Sequence, residues 1–160
     1  MIVIGIDPGP TESAYVRFNC DTQRVEHSET SINEDILTLV RDGAMARMYD
    51  AHLAIERVMS YGRPVGETVF ETVFWTGRFI EAWKSECRRI SFRDVGRHLC
   101  NAGSGVKESH VRQALLDRFG PDPKVAKGNK SSPGALYGVA NHQWSALAVA
   151  VTVGDQHENI

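Results

Sequence analysis

A chain of 160 residues with 42% apolar and 24% charged side chains is long enough to bury a core and ordinary for one globular domain. A formal net charge of −2 argues against a protein that coats nucleic acid, while leaving room for a local basic surface around an acidic site. No apolar run approaches bilayer-crossing length, no signal-peptide pattern opens the chain, and Cys20, Cys87 and Cys100 form no zinc pattern, so a reduced, cytoplasmic setting with no membrane partner is expected.

Ile2 to Ile6 reads as a short buried strand ending at Asp7, broken by Pro8-Gly9-Pro10. Ala14 to Phe18 alternates as a second strand. A turn over Asn19 to Thr22 leads to a third, Arg24 to His27, which makes an antiparallel meander. Asn33 is placed to cap a helix carrying Ile36, Leu37, Leu39 and Val40, with Asp42-Gly43 ending or interrupting it. His52 to Glu56 reads as a fourth strand, again ending in an acid, and Val58 to Pro64 as a loop. Glu67 to Trp83 is the longest helical pattern. Arg88 to Phe92 is a fifth strand, and Val106 to Phe119 an amphipathic helix. Gly120 to Gly138, rich in Pro, Gly, Lys and Ser, reads as a long flexible loop, and Asn141 to Val153 as a last apolar helix. With no repeat and no linker, residues 1–160 form one α/β domain with a mixed five-stranded sheet flanked by helices.

Two carboxylates, Asp7 and Glu56, end two buried strands. If the strands are neighbours, the acids sit side by side at the carboxyl edge of the sheet, where α/β folds tend to bind ligands. Adjacent carboxylates repel unless a cation lies between them, and Mg²⁺ or Mn²⁺ suits such a pair. On spacing alone, a strand-end turn residue and a surface charge explain the same two acids.

The local strings carry more. Ile4-Gly5-Ile6-Asp7-Pro8-Gly9-Pro10 with Ser13 to Val16, then Leu53 to Val58 around Glu56, then Arg97 to Gln113 around Lys107, then His142 to Ala150 occur in that order along the chain. Together they resemble the motifs of RuvC-like Holliday-junction resolvases, in the ribonuclease H-like superfamily, and most closely the short bacteriophage forms. The first string alone is also similar to the opening of actin-like phosphotransferases, but those are much longer and carry a later phosphate-binding glycine loop.

The resemblance implies a ribonuclease H-like fold and a structure-selective endonuclease for four-way junctions, working in the host cytoplasm if phage-encoded. It implies two Mg²⁺ or Mn²⁺ ions held by Asp7, Glu56 and the face of His142 and Ser145, with Lys107 near the scissile phosphate. Products would carry a 5′ phosphate and a 3′ hydroxyl. One departure stands out. The family places Asp or His at the position of His142, and Asp three residues later, where this chain has Ser145. His142 then either ligates a metal or orients the attacking water, or metal binding is weakened and the chain binds junctions while cutting poorly. Glu67 and Glu71 are candidates for a compensating acid, although both also suit an exposed helix face.

For DNA, Arg88, Arg89, Arg93, Arg97 and His98 cluster around the fifth strand, and Lys124, Lys127 and Lys130 lie in the 120–138 loop. Met59 and Tyr61 follow Glu56 in a segment that, by the resemblance, enters the junction centre, where either side chain could stack on an unpaired base. A two-fold homodimer is implied, because symmetric cutting needs two sites. The aromatics Phe70, Phe74, Trp75 and Phe79 occupy more than one helix face. Two other functions fit the same residues: a catalytically weak junction-binding protein, and a ribonuclease H-like nuclease for another branched or hybrid substrate.

Overall fold

The computed structural model describes residues 1–43 and 51–157. β1 (Ile2–Asp7), β2 (Glu12–Asn19) and β3 (Arg24–Ile32) form the expected antiparallel meander. β4 (Ala51–Arg57) and β5 (Cys87–Ser91) add in parallel on the other side of β1, giving the order β3-β2-β1-β4-β5. β3 runs well past His27 because it is an edge strand, exposed along most of its length, and needs no apolar alternation.

Helices cover both sheet faces. α1 (Asn33–Arg41) and α2 (Glu67–Trp83) pack over Ile2, Ile4, Ile6, Leu53 and Ile55. α3 (Phe92–Cys100), α4 (Glu108–Phe119), α5 (Pro123–Lys127) and α6 (Gln143–His157) pack over Val3, Val16, Phe18, Ala54 and Ile90. The two lists alternate along each strand, as the pleat requires. Among the described residues, no helix is long and apolar enough to cross a membrane.

Four sequence expectations need correction. Phe92 does not end the fifth strand; it opens α3. Ser91 caps that helix, its Oγ accepting from the Asp94 amide at 3.3 Å and donating to the Asp94 carboxylate at 2.6 Å. Asn33 does not cap α1. Its fully buried side chain accepts from Ser13 Oγ at 2.6 Å and donates to the Gly9 carbonyl at 3.0 Å. The last helix starts at Gln143, because Asn141 has a left-handed φ of 47°. Finally, segment 120–138 is no structureless loop. It holds α5 and a two-stranded hairpin, β6 (Gly128–Asn129) and β7 (Ser132–Pro133), anchored by buried Ala126 and Leu136.

The contact between α6 and β1 fixes the position of the last helix. A Cβ on Gly5 would lie 2.1 Å from the Ala146 carbonyl oxygen and 2.9 Å from the Ala150 Cβ. The helix thus lies directly on the strand backbone, with small side chains facing it.

Candidate active site

Ile6 pairs with Ile55 in the parallel β1–β4 register, so Asp7 and Glu56 leave neighbouring strands together at the carboxyl edge. Strand alternation sets their direction. Asp7 shares the face of Val3 and Gly5, and Glu56 that of Ala54, the face that α6 covers. Both acids therefore turn toward the start of α6.

A buried polar knot holds the loop after Asp7. Gly9 N–H donates to Ser13 Oγ at 3.0 Å, Ser13 donates to Asn33, and Asn33 returns to the Gly9 carbonyl. A side chain on Gly9 would collide with the Glu12 carbonyl oxygen, 2.2 Å from an ideal Cβ. At the other side, the His142 carbonyl accepts the amides of Ser145 (3.1 Å) and Ala146 (3.3 Å), so His142 caps the entry to α6. Its Nδ1 stands 3.4 Å from Asp7 Oδ2, with the imidazole 79% exposed and the Asp7 side chain 18% exposed. His142 thus lies at the mouth and Asp7 at the floor. Ser145, half-buried in the first turn of α6, lines the same space.

That space is a cavity of about 450 Å³ lined by Asp7, Glu12, Glu56, Glu108, His142 and Ser145, among others. It adjoins a larger cleft of about 1040 Å³ between α6 and α3–α4, which shares Glu56, Glu108, His142 and Ser145. Four carboxylates line the smaller cavity and no Lys or Arg does. Burial, and then the charge of Glu108, pushes Asp7 up from 3.8 to about 7. Burial, then the charges of Asp7 and Glu108, raises Glu56 from 4.5 to about 8, with His142 opposing.

Glu108 is the acid the sequence reading missed. It follows Lys107 directly. Lys107 sits exposed just before α4 and lines neither cavity. Glu67 and Glu71 are exposed on α2 and also line neither. The signal available in the sequence was an acid at the first position of a helix beginning beside a motif residue.

A concentration of carboxylates without cationic partners fits a hard divalent cation, which takes oxygen ligands and lowers the repulsion among them. Among the described residues, no three His, Cys, Asp or Glu side chains stand close enough to cage an ion as arranged. Mg²⁺ needs no such cage, since one or two carboxylates suffice and waters complete its shell. The donors present therefore fit an open site of Mg²⁺ or Mn²⁺ type, with Asp7 and Glu56 at its base.

The expected DNA contacts divide. Arg88 donates to Gln156 at 2.7 Å and His98 pairs with Asp155 at 2.6 Å. Both are tied to the far end of α6, away from His142, so neither belongs with the site. Arg93 lies nearer the carboxyl edge, exposed, its Nε donating to the Gly103 carbonyl at 3.1 Å. Arg97 pairs with Asp94 at 3.3 Å on the exposed side of α3. Lys124 and Lys130 are exposed on and after α5, while Lys127 lies 5.7 Å from the Trp144 ring. Arg112, not singled out from the sequence, covers the same indole at 5.1 Å and lines the larger cleft. Met59 and Tyr61 are exposed beyond Glu56, and Tyr61 adopts a left-handed φ of 49° in a turn closed by Arg63 N–H donating to the Ser60 carbonyl at 2.9 Å.

No protein-family model and no curated protein sequence matches this chain. Solved structures do. The chain is similar to Thermus thermophilus RuvC, with a TM-score of 0.70 and 17% identity, covering 99% of this chain and 97% of that one. It is equally similar to T. thermophilus RuvC in complex with a Holliday junction substrate, with a TM-score of 0.70 and 18% identity over 99% and 96% of the two chains. The fowlpox virus Holliday junction resolvase matches more loosely, with a TM-score of 0.47 and 14% identity over the full length of both. The mixed five-stranded sheet with its flanking helices is thus a ribonuclease H-like α/β fold of the RuvC kind.

Proposed function

We propose that this chain is a metal-dependent endodeoxyribonuclease, a single RuvC-like domain that cuts four-way junctions or related branched DNA. The observation that carries the reading is the convergence of Asp7, Glu56 and His142 at one sheet edge, in a fold shared with a protein solved on a Holliday junction. Asp7 and Glu56 would hold Mg²⁺ or Mn²⁺, in the arrangement of two ions that the resemblance implies. Bound there, the metal would acidify a water and stabilise the leaving oxygen. His142 keeps Nδ1 toward Asp7, which leaves Nε2 to orient that water or take its proton. Lys107, one residue from Glu108, would reach the phosphate from the rim. Arg93, Arg97, Arg112 and the α5 lysines would track the backbone, and Met59 or Tyr61 would meet unpaired bases at the branch.

We assign the dimer to α2. Phe70 and Phe74 are 64% and 58% exposed there, with Val73 between them, a patch suited to a second copy carrying a second site. Cys87 and Cys100 carry free thiols, in keeping with a reducing cytoplasm.

Incubation of end-labelled four-way junctions with Mg²⁺ and Mn²⁺ tests the reading. It predicts paired nicks near the branch, abolished in Asp7→Asn and Glu56→Gln, with excess linear duplex or RNA–DNA hybrid competing poorly. Effective competition by the hybrid would favour another ribonuclease H-like substrate. One observation favours a second reading: Ser145 presents a hydroxyl where the family motif has a carboxylate. Tight junction binding with no cleavage under either metal would make this a junction-binding protein.

A further inference from the structure

We infer that Arg112, Lys127 and Trp144 form one binding site for a single backbone phosphate, flanking the phosphate that is cut, and so set the register of the strand. The inference rests on the reading of this chain as a junction nuclease. Three elements meet at the Trp144 indole. Trp144 stands in the first turn of α6, between His142 and Ser145 in sequence. Arg112 comes from α4, with its guanidinium carbon 5.1 Å from the ring centroid. Lys127 closes α5, with its Nζ 5.7 Å from the same centroid. Trp144 and Arg112 line the larger cleft together with Glu56, His142 and Ser145. The three groups therefore stand on the same cleft as the candidate metal site.

All three groups have donors to spare. Among the described residues, neither the Arg112 nor the Lys127 side chain makes an ion pair or a hydrogen bond. Other arginines are engaged: Arg17 pairs with Glu26, Arg97 with Asp94 and Arg118 with Asp155. Glu12 and Glu108 line the cleft beside Arg112, yet it pairs with neither. The Trp144 indole N–H also makes no hydrogen bond among the described residues, and, unlike that of Trp83, it is not sealed from solvent. Guanidinium, ammonium and indole N–H groups donate and do not accept. Three such donors around one ring fit an anion with several acceptor oxygens, and a phosphodiester is one.

Packing alone accounts for less. Arg78 shows that simpler case: it stands 4.3 Å from the Trp75 ring, three residues away on the same helix, and among the described residues no second cation covers that ring. One cation already gains the attraction of the ring face. A second one adds repulsion between like charges, which an anion between them removes. The positions are also held firmly. Ala126 is fully buried beside Lys127, and its carbonyl accepts the Leu136 amide at 2.9 Å. The Lys127 carbonyl accepts the Gly134 amide at 3.1 Å. Because Trp144 shares a helix turn with His142 and Ser145, a phosphate held there is fixed relative to the candidate catalytic groups.

Fluorescence anisotropy with labelled four-way junctions, in EDTA and again in Ca²⁺, tests this without reference to cleavage. One phosphate at a time near the branch is replaced by an uncharged methylphosphonate. At one position the wild type should lose roughly tenfold in affinity. Arg112→Gln and Lys127→Gln should bind that same junction within about twofold of their affinity for the unmodified one, because the phosphate has already lost its partner. Trp144→Phe, which keeps a ring and removes the N–H, should show a reduced penalty at that position only. Lys84→Gln removes an equal charge at the end of α2 and should keep the full penalty. Circular dichroism melts confirm that each variant is folded, and a packing defect alone would not single out one phosphate. If every methylphosphonate costs the Arg112 and Lys127 variants as much as the wild type, the inference is wrong and the parent reading stands. A penalty that also vanishes in Lys84→Gln overturns it as a general charge effect. If inorganic phosphate alone alters tryptophan fluorescence while no methylphosphonate matters, the site takes a free anion and the inference falls. If the wild type binds no junction in either buffer, the parent reading itself fails.

Discussion

Asp7 and Glu56 stand side by side, one residue beyond the Ile6–Ile55 pair, on adjacent parallel strands buried at their base. Burial at that edge raises both acids, Asp7 to about 7 and Glu56 to about 8, with the charge of Asp7 adding to the rise at Glu56. Between about pH 4 and these values the folded chain holds protons that the unfolded chain has released. Stability of the metal-free protein therefore falls as pH rises through that window. Thermal melts in a chelator should show a lower midpoint at about pH 8.5 than at about pH 6. Asp7→Asn should remove much of that decline, on the order of 2 kcal/mol at the higher pH, and Mg²⁺ should reverse it in the wild type. A wild-type pH profile matched by Asp7→Asn would contradict the assignment.

The same protons compete with the metal. Mn²⁺ affinity should climb as pH rises toward about 8 and level off above it, because both carboxylates must ionise to bind. Titrations at several pH values, each in matched ionic strength, would read this. Affinity independent of pH would mean that the cation is held elsewhere.

Gly5→Ala should be severe for so small a change. The added methyl meets the Ala146 carbonyl, so α6 must lift away from β1 and carry His142 and Ser145 with it. We expect a loss of about 2–3 kcal/mol by urea denaturation and a matching fall in metal affinity. A wild-type urea midpoint would show that the helix has room to spare.

Phe74→Glu should convert a dimer to monomers in sedimentation equilibrium while leaving the thermal midpoint nearly unchanged, because the side chain is largely exposed. Cleavage would then lose its paired character before losing its rate. A dimer that survives this change, and Phe70→Glu as well, would move the interface off α2.

Replacement of Lys124, Lys127 and Lys130 by Ala should weaken binding to junctions of any sequence and flatten its dependence on salt by roughly one unit per phosphate contact removed. Lys127 also packs near Trp144, so its single variant should cost some stability and the other two little. An unaltered salt slope would take α5 out of the DNA path.

Much of the fold was legible because burial writes itself into strand sequence. Val3, Ala54 and their neighbours alternate between two covered faces, and Asp7 closes β1 while Glu56 stands one residue before the end of β4. β3 and α3 were harder to read. An edge strand carries no apolar pattern, and the Ser91–Asp94 capping box lies at the junction of two elements whose apolar runs merge. The candidate site was legible where an acid stands at or beside a strand end, as at Asp7 and Glu56. His142 came from the family motif, since nothing local separates it from an ordinary helix-entry residue. Glu108 escaped because its place at the cavity depends on α4 and α6 meeting, a relation between distant segments that neither states alone.

The proposed reading requires Asp7 and Glu56 to share a divalent cation. Anomalous diffraction from crystals of the full-length protein equilibrated with Mn²⁺ addresses it most directly. A shared cation gives a strong peak within coordination distance of both carboxylates. Saturating Mn²⁺ with no peak touching either one would contradict it.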